Sequence, residues 1–201
     1  MIKDLVNNMD LYEKSVAFAL RAHEGQTRKN SGIPYILHPM EAATIASTLT
    51  DDREVLAAVM LHDTVEDTEA TLDDIRREFG ERVAQLVKGE TENDYPGLSR
   101  EESWKLRKEE SLRRLRENED YSVKIMWLSD KLSNARSLYR IYEERGDKMW
   151  NLFHQKDKSV QEWYYRSVAD ALQEFSETPA YREYVALINL IFGGQYEVTA
   201  E

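Results

Sequence analysis

Apolar residues recur at helical spacing along nearly the whole chain, and this periodicity is the strongest constraint on the fold. Glycine and proline, which mark turns, are scarce: the 201 residues include 8 Gly and 4 Pro. A β fold with a turn about every ten residues would need more of both. The pattern therefore predicts an all-α fold, a single helical domain over residues 1–201 without a linker or an internal repeat.

Capping residues and glycines predict where the helices begin and end. Predicted starts are Asp10 with Glu13, Pro39, Asp51 or Asp52, Thr71 with Asp74, Ser99 with Glu102, and Thr178 with Pro179. Predicted stops are Gly25, Gly80, Gly89, Gly193 and Gly194. The helix from Pro39 is expected to reach about Leu49, and the one from Ser99 about Asn118. Further helices are predicted over Ser122–Arg140 and Lys158–Phe175, with loops over Gln26–Leu37 and Thr91–Leu98.

Composition excludes several classes of protein. The chain has no cysteine, which rules out disulfides, thiolate metal sites and a cysteine nucleophile. Its longest apolar run, Val55–Leu61, is far shorter than the roughly 20 residues of a membrane span. A net charge of −11 disfavours binding to nucleic acid or to anionic membranes. We expect a cytoplasmic protein without nucleic-acid or membrane partners, and homo-oligomerisation stays open.

Four ionisable groups lie at the end of one apolar helix. His62 and Asp63 close the run Val59-Met60-Leu61-His62-Asp63, and Glu66 and Asp67 follow one turn later. Adjacent helical positions point about 100° apart, so neighbouring side chains can reach one ion between them. A divalent cation would relieve the repulsion among the three carboxylates. A helix cap followed by a solvated acidic turn explains His62 and Asp63 about equally well.

Two further residues favour a metal centre. His38 precedes Pro39 at a helix entry, and Asp130 interrupts an apolar helical stretch. Each alone is a weak signal, since an Asp in such a helix is more often paired with a Lys.

Together these residues resemble a known family. The order H…HD…D is the signature of HD-domain metal-dependent phosphohydrolases. The segments QTRKNSGIPYILHP, AAVMLHDTVEDTEATLDDIRREFGERVAQLV and WLSDKLSNARSL are similar to the (p)ppGpp-hydrolase domain of RelA/SpoT proteins, in particular to the free-standing small alarmone hydrolases. The resemblance covers about residues 10–195. It implies an HD motif region over about residues 10–140 and C-terminal helices over about 147–195.

The resemblance assigns a role to each site residue. It implies that His38, His62, Asp63 and Asp130 bind one divalent cation, in this family typically Mn²⁺. A set of imidazoles and carboxylates also suits Fe²⁺ or Zn²⁺. Glu66 and Asp67 match the catalytic acidic pair, which orients water or passes protons.

Further matches concern the substrate. Arg28 and Lys29 match a basic pair that recognises the nucleotide, and Asn134 and Arg136 match residues on the ribose and phosphate side. Asn134 is equally suited to supporting the metal ligands. Contacts from Lys105, Arg107, Lys108, Lys158 or the Trp163–Tyr165 aromatics stay undecided. Asp94 stands where many relatives carry a Lys, which puts the preferred alarmone in doubt.

The implied activity is hydrolysis of (p)ppGpp to GDP or GTP and pyrophosphate. Because the chain ends at Glu201, we expect it to degrade alarmone without synthesising it. Two alternatives stay open: a broader HD phosphatase acting on other 2′- or 3′-phosphorylated nucleotides such as ppApp or NADPH, and an alarmone-binding protein without catalysis.

Overall fold

The computed structural model describes residues 10–28, 32–92 and 95–194, and their regular structure is helical. The α-helices are α1 (Leu11–Ala22), α2 (Leu37–Ala46), α3 (Arg53–Leu61), α4 (Thr64–Asp67), α5 (Leu72–Phe79), α6 (Glu81–Glu90), α7 (Trp104–Glu117), α8 (Tyr121–Arg145), α9 (Lys158–Ala171) and α10 (Pro179–Phe192). Two 3₁₀ helices cover Gly146–Leu152 and Gln173–Phe175. Within the described ranges, the β-type pairing is an isolated bridge between Thr27 and Pro34. The predicted all-α fold is confirmed.

The chain forms two compact units. Of the described residues, the first contains 10–28, 32–91 and Tyr121–Asp130, and the second contains 92, 95–120 and 131–194. In the first unit α3 packs against α1, α2 and α6, and α5 packs against α6. In the second, α9 packs against α7 and α10. The single domain expected from sequence stays a prediction.

Helix α3 is the centre of the first unit because nearly all its side chains are apolar. Val55, Val59, Met60 and Leu61 are at most 1% exposed. Burying a side chain of this size contributes about 1.5–3 kcal/mol relative to leaving it in water. This burial fixes the C-terminal end of α3 inside the unit, and it thereby positions His62 and Asp63, which follow directly.

Most predicted helix starts are confirmed by their capping bonds. Asp10 and Thr71 form capping boxes with Glu13 and Asp74, and Thr178 caps α10 with Pro179 in its first turn. Of the two candidates before α3, Asp52 is the cap: it accepts a hydrogen bond from the Glu54 N–H.

Several boundaries differ from the prediction. Helix α2 begins at Leu37, two residues before Pro39. Pro39 fits in this first turn because the N–H that proline lacks would have no partner within the helix there. Ser99 and Glu102 exchange capping bonds, but turns follow and α7 begins only at Trp104. Gly89 does not stop α6, which reaches Glu90; a Cβ at this position would lie in ordinary van der Waals contact with Val123, 3.5 Å away.

The ends of the long helices also shift. Helix α8 continues five residues beyond Arg140, and α9 ends at Ala171, with the 3₁₀ turn Gln173–Phe175 completing the predicted span. Helix α2 ends at Ala46, three residues before Leu49. The 3₁₀ helix Gly146–Leu152 was not among the predicted elements.

Candidate metal centre

Three helices bring the four predicted metal ligands together in the first unit. His38 is the second residue of α2, His62 directly follows the last residue of α3, and Asp63 comes next. Asp130 lies in α8, on the part that belongs to the first unit. His38, His62 and Asp130 are all buried, with at most 4% of their surface exposed. Such buried polar groups require partners, and here they have one another.

The ligand atoms converge on one point. His38 Nε2 lies 2.9 Å from Asp130 Oδ1 and 3.5 Å from Asp63 Oδ2. His62 Nε2 lies 3.0 Å from Asp63 Oδ2 and 3.5 Å from Asp130 Oδ1. The candidate ligand atoms of His38, His62 and Asp130 all lie within 4.8 Å of one another. Two imidazole nitrogens and two carboxylates at these separations form a donor set suited to a first-row divalent cation.

The hydrogen bonding of His62 also fits a cation. Its Nδ1 donates to the Val59 carbonyl at 2.7 Å, which fixes the ring and directs Nε2 into the cluster. Nε2 is buried, and although Asp63 Oδ2 lies 3.0 Å away, no described residue makes a well-directed hydrogen bond to it. A histidine held through one nitrogen by a backbone carbonyl, with the other nitrogen available, is the usual arrangement of a metal ligand.

Burial and the neighbouring carboxylates act against each other at both histidines, and the pKa values of His38 and His62 shift in opposite directions. Burial dominates at His38 and lowers its pKa. Burial opposes charge at His62 too, but the Asp63 and Asp130 carboxylates outweigh it and raise the pKa. The nearby histidines in turn hold the pKa of Asp63 below its usual range in spite of burial. The cluster therefore favours positive charge at its centre, and a cation and a proton compete for the same nitrogen.

Glu66 and Asp67 lie on α4, the short turn directly after Asp63. Hydrogen bonds from threonine hydroxyls to backbone carbonyls hold this turn: Thr64 Oγ1 bonds to Leu61 O at 2.7 Å, and Thr68 Oγ1 to Thr64 O at 2.6 Å. Glu66 is half-buried and Asp67 is exposed. The acidic pair thus directly follows the buried cluster in the chain and is more exposed to solvent than His38, His62 and Asp130.

Tyr35 is a site residue that the sequence patterns did not single out. Its hydroxyl donates to Asp63 Oδ2 at 2.5 Å and also lies 3.1 Å from Asp67 Oδ2. Burial and the two carboxylates raise the pKa of Tyr35, so it stays protonated and acts as a donor. Its sequence signal was its place in the segment QTRKNSGIPYILHP, three residues before His38. A contact between residues 28 positions apart leaves no local pattern of its own.

Arg28 lies close to this tyrosine. Its guanidinium carbon is 5.9 Å from the centroid of the Tyr35 ring. The loop that carries both residues is closed by backbone hydrogen bonds, from Arg28 N to Ile33 O at 2.8 Å and from Tyr35 N to Gln26 O at 3.0 Å. Lys29, the other half of the predicted basic pair, lies outside the described residues, as does Asp94.

The remaining predicted substrate residues follow Asp130 on α8. Asn134 is half-buried, four residues after Asp130 in the same helix. Arg136 belongs to the second unit and forms a two-pronged ion pair with Glu183 of α10, at 2.6 Å through Nε and 2.7 Å through Nη2. This pair uses the Nε and Nη2 donors of Arg136.

The cations left undecided by sequence have protein partners in the second unit. Arg107 and Lys108 both pair with Glu92, Lys108 at 2.5 Å. Lys105 lies 3.7 Å from Glu109, and Lys158 lies 2.8 Å from Asp147. In the Trp163–Tyr165 segment, Tyr164 is buried and packs edge-on against Trp104. Each of these five side chains therefore has a contact within this unit.

The structure places two histidines and two aspartates together on an all-α scaffold, and one aspartate, Asp63, directly follows one histidine, His62. This arrangement defines a class of helical proteins with a candidate metal centre. Comparison with known families agrees with this class. The model of the HD domain family matches residues 15–153. The chain belongs to the HD domain family.

Curated relatives are long proteins of which the chain matches a small part. It is 36% identical over 137 residues to a guanosine-3′,5′-bis(diphosphate) 3′-pyrophosphohydrolase of Aquifex aeolicus, a match covering 68% of this chain and 19% of that protein. It is 38% identical over 138 residues to a GTP pyrophosphokinase of Streptomyces coelicolor, covering 68% of this chain and 16% of that protein. The chain thus spans less than a fifth of the length of these relatives.

Two solved structures are similar over most of their own length. One is described as a metazoan ortholog of SpoT that hydrolyses ppGpp; it has a TM-score of 0.71 and 25% identity, over 90% of this chain and 96% of that one. The other is a Listeria monocytogenes protein with a TM-score of 0.67 and 32% identity, over 78% of this chain and 99% of that one. Among the described residues, no helix has the length and apolar character needed to cross a membrane.

Proposed function

We propose that this protein is a metal-dependent phosphohydrolase that removes the 3′-diphosphate of guanosine alarmones, converting (p)ppGpp to GDP or GTP and pyrophosphate. The observation that carries the proposal is the convergence of His38, His62, Asp63 and Asp130 next to the acidic turn α4. The similarity to a structure described as hydrolysing ppGpp supports the choice of substrate, because it extends over nearly the whole of both chains.

The four clustered residues would hold one divalent cation, for which Mn²⁺ is our choice. A cation bound there would supply Lewis acidity and a nucleophile at neutral pH. The carbonyl bond to His62 Nδ1 and the contacts among the ligands keep the donor atoms in place before anything binds. Because these atoms are already in place, no free energy is needed to reorganise the charged centre during the reaction.

Glu66 and Asp67 would perform the proton transfers. Loss of a diphosphate from a ribose 3′-oxygen requires a proton taken from the attacking water and a proton supplied to the leaving oxygen. Both carboxylates follow the ligand pair by one helical turn, and Asp67 is open to solvent, through which a proton can be exchanged. We assign them acid–base and water-orienting roles.

Arg28, Lys29, Asn134 and Arg136 would bind the nucleotide. A planar guanidinium can stack on a purine, and Arg28 already lies beside the aromatic ring of Tyr35. Lys29 would neutralise phosphate, and Asn134 would contact the ribose or support the ligands. Arg136 would contact phosphate through Nη1 beside the Glu183 pair, or through Nε and Nη2 in place of it. A cytoplasmic location belongs to the same proposal.

The deciding experiment is product analysis after metal depletion and defined metal addition. Chelator-treated protein is incubated with ppGpp, with and without Mn²⁺, and the His62→Ala variant is treated identically. We expect stoichiometric GDP and pyrophosphate only with Mn²⁺ and only with the unmodified protein.

A substrate panel separates the alternatives. Comparable turnover of ppGpp, ppApp and NADPH would replace the proposal with a broader 2′- or 3′-nucleotide phosphatase. Binding of ppGpp without any product, in the presence of Mn²⁺, would identify a binding protein instead. Either result would overturn the assignment to guanosine alarmone hydrolysis.

A further inference from the structure

Tyr35 connects the two functional parts of the site through one hydroxyl group. The hydroxyl lies 2.5 Å from Oδ2 of Asp63, the ligand candidate, and 3.1 Å from Oδ2 of Asp67, a member of the acidic pair. The same Asp63 oxygen faces both histidines, at 3.0 and 3.5 Å. A movement of the Tyr35 hydroxyl would therefore disturb both the Asp63 and the Asp67 carboxylate.

The ring of Tyr35 is held on more than one side. His23, which is 3% exposed, lies against it with ring centroids 4.8 Å apart. His38 meets it edge-on at 6.0 Å, and Arg28 lies over it at 5.9 Å. A side chain in such contacts has little rotamer freedom, so its hydroxyl is a fixed reference point for the carboxylates.

Gln26 holds the same turn through the backbone. Its Nε2 donates to the carbonyl oxygen of Asp67 at 2.8 Å, and its Oε1 lies 2.8 Å from His23 Nδ1. Because the amide nitrogen of Gln26 already donates to Asp67, its oxygen must accept, and His23 Nδ1 is the donor. The single hydroxyl hydrogen of Tyr35, shared between the Asp63 and Asp67 oxygens, restrains the Asp67 side chain, and Gln26 restrains its main chain.

We infer that Tyr35 is a positioning residue that aligns the Asp63 ligand and the Asp67 carboxylate with each other, with Gln26 as its backbone counterpart. The catalytic half of this inference rests on the proposed function, and the Asp63 half rests only on the proposed metal site. Tyr35 transfers no proton and contacts no substrate in this role. It acts through the two carboxylates, as hydrogen-bonding neighbours of metal ligands generally do.

The test uses Tyr35→Phe, which keeps the ring and removes only the hydroxyl. Tyr95→Phe is the matched control, because the Tyr95 hydroxyl also donates to a carboxylate, that of Glu110, at 2.6 Å. Tyr95 and Glu110 are not assigned to the site. We expect Tyr35→Phe to weaken Mn²⁺ binding, measured by calorimetry, about tenfold. We also expect faster hydrogen exchange of the α4 amides. Tyr95→Phe should change neither.

A double-mutant cycle with Asp67→Asn tests the catalytic half. At saturating Mn²⁺, Tyr35→Phe should lower kcat about 10- to 100-fold with little change in KM. In the Asp67→Asn background, Tyr35→Phe should lower kcat much less, because the Asp67 carboxylate through which Tyr35 acts is already absent. Equal effects in both backgrounds, or full recovery of kcat at high Mn²⁺, would overturn this half.

The other arms do not depend on substrate. Parent-like Mn²⁺ affinity and α4 exchange in Tyr35→Phe would overturn the inference itself. If the parent protein binds Mn²⁺ but does not cleave ppGpp, the proposed function fails, and the calorimetry and exchange results still decide whether Tyr35 aligns the two carboxylates.

Discussion

Asp63 and Asp67 are four residues apart, contact the same tyrosine hydroxyl and have different surroundings. Asp63 faces two buried histidines, whereas Asp67 is exposed at the end of α4. Neighbouring positive charge holds the Asp63 carboxyl ionised, which suits a ligand. Access to water suits a group that exchanges protons. The structure thus supports different tasks for two chemically identical side chains.

This difference leads to a prediction for the acidic pair. Glu66→Gln and Asp67→Asn should each keep bound Mn²⁺ and the helical circular dichroism signal while kcat falls about 10²–10⁴-fold, the usual cost of losing an acid–base group. Arg28→Ala is the contrasting variant and should mainly raise KM. Steady-state kinetics with metal analysis provides the measurement. Loss of Mn²⁺ from the acidic variants would move the pair into the ligand set.

At the scale of the element, α3 depends on the cap at its N-terminus. Asp52 Oδ1 accepts the Glu54 N–H at 2.9 Å, and Oδ2 accepts Arg82 Nη1 at 2.7 Å. Burial alone would raise the pKa of Asp52, but these bonds outweigh it and lower the pKa. A carboxyl with a lowered pKa stabilises the fold above its unfolded pKa of about 4, and this contribution is lost as the pH falls through the folded pKa.

We therefore predict a pH-dependent cost for Asp52→Ala. At pH 7 the free energy of unfolding should fall by about 1 kcal/mol, the typical value of a helix cap. The difference from the parent should narrow as the pH falls below about 4. Urea denaturation at pH 7 and pH 3 measures it. Asp51→Ala, at the neighbouring exposed position, should cost less than about 0.5 kcal/mol; equal losses from both variants would show that the cap is not responsible.

At the scale of the whole molecule, metal binding should stabilise the fold. The candidate ligands come from α2, the end of α3 and α8, so one ion would tie three segments of the first unit together. A ligand that binds only the folded state at 100 times its Kd contributes about 2.7 kcal/mol. For a chain of this size that corresponds to a rise of roughly 5–10 °C in Tm.

Thermal unfolding with Mn²⁺ and with EDTA tests this expectation. The parent should show the higher Tm with Mn²⁺, whereas His62→Ala and Asp63→Ala should unfold at the same temperature in both conditions. Glu66→Gln is the control that should keep the shift. A parent Tm that is the same with Mn²⁺ and with EDTA would argue against a metal centre at these residues.

Much of this protein could be predicted from local sequence. Helical periodicity and capping residues gave the helix class and most helix starts, because both depend on residues within one or two turns. The resemblance named His38, His62, Asp63 and Asp130, and the structure brings these four together. Their role as ligands stays a prediction until metal is measured.

Tertiary structure decided the rest, because it depends on neighbours that are distant in the chain. Gly89 has the local signature of a helix stop but lies inside α6, packed against Val123. Arg136 matches a phosphate contact, and in the fold it is paired with Glu183, 47 residues away. Tyr35 had no assigned role until packing placed its hydroxyl between Asp63 and Asp67. Local sequence encodes backbone conformation and burial, whereas the partner of a polar side chain is chosen only when separate helices pack.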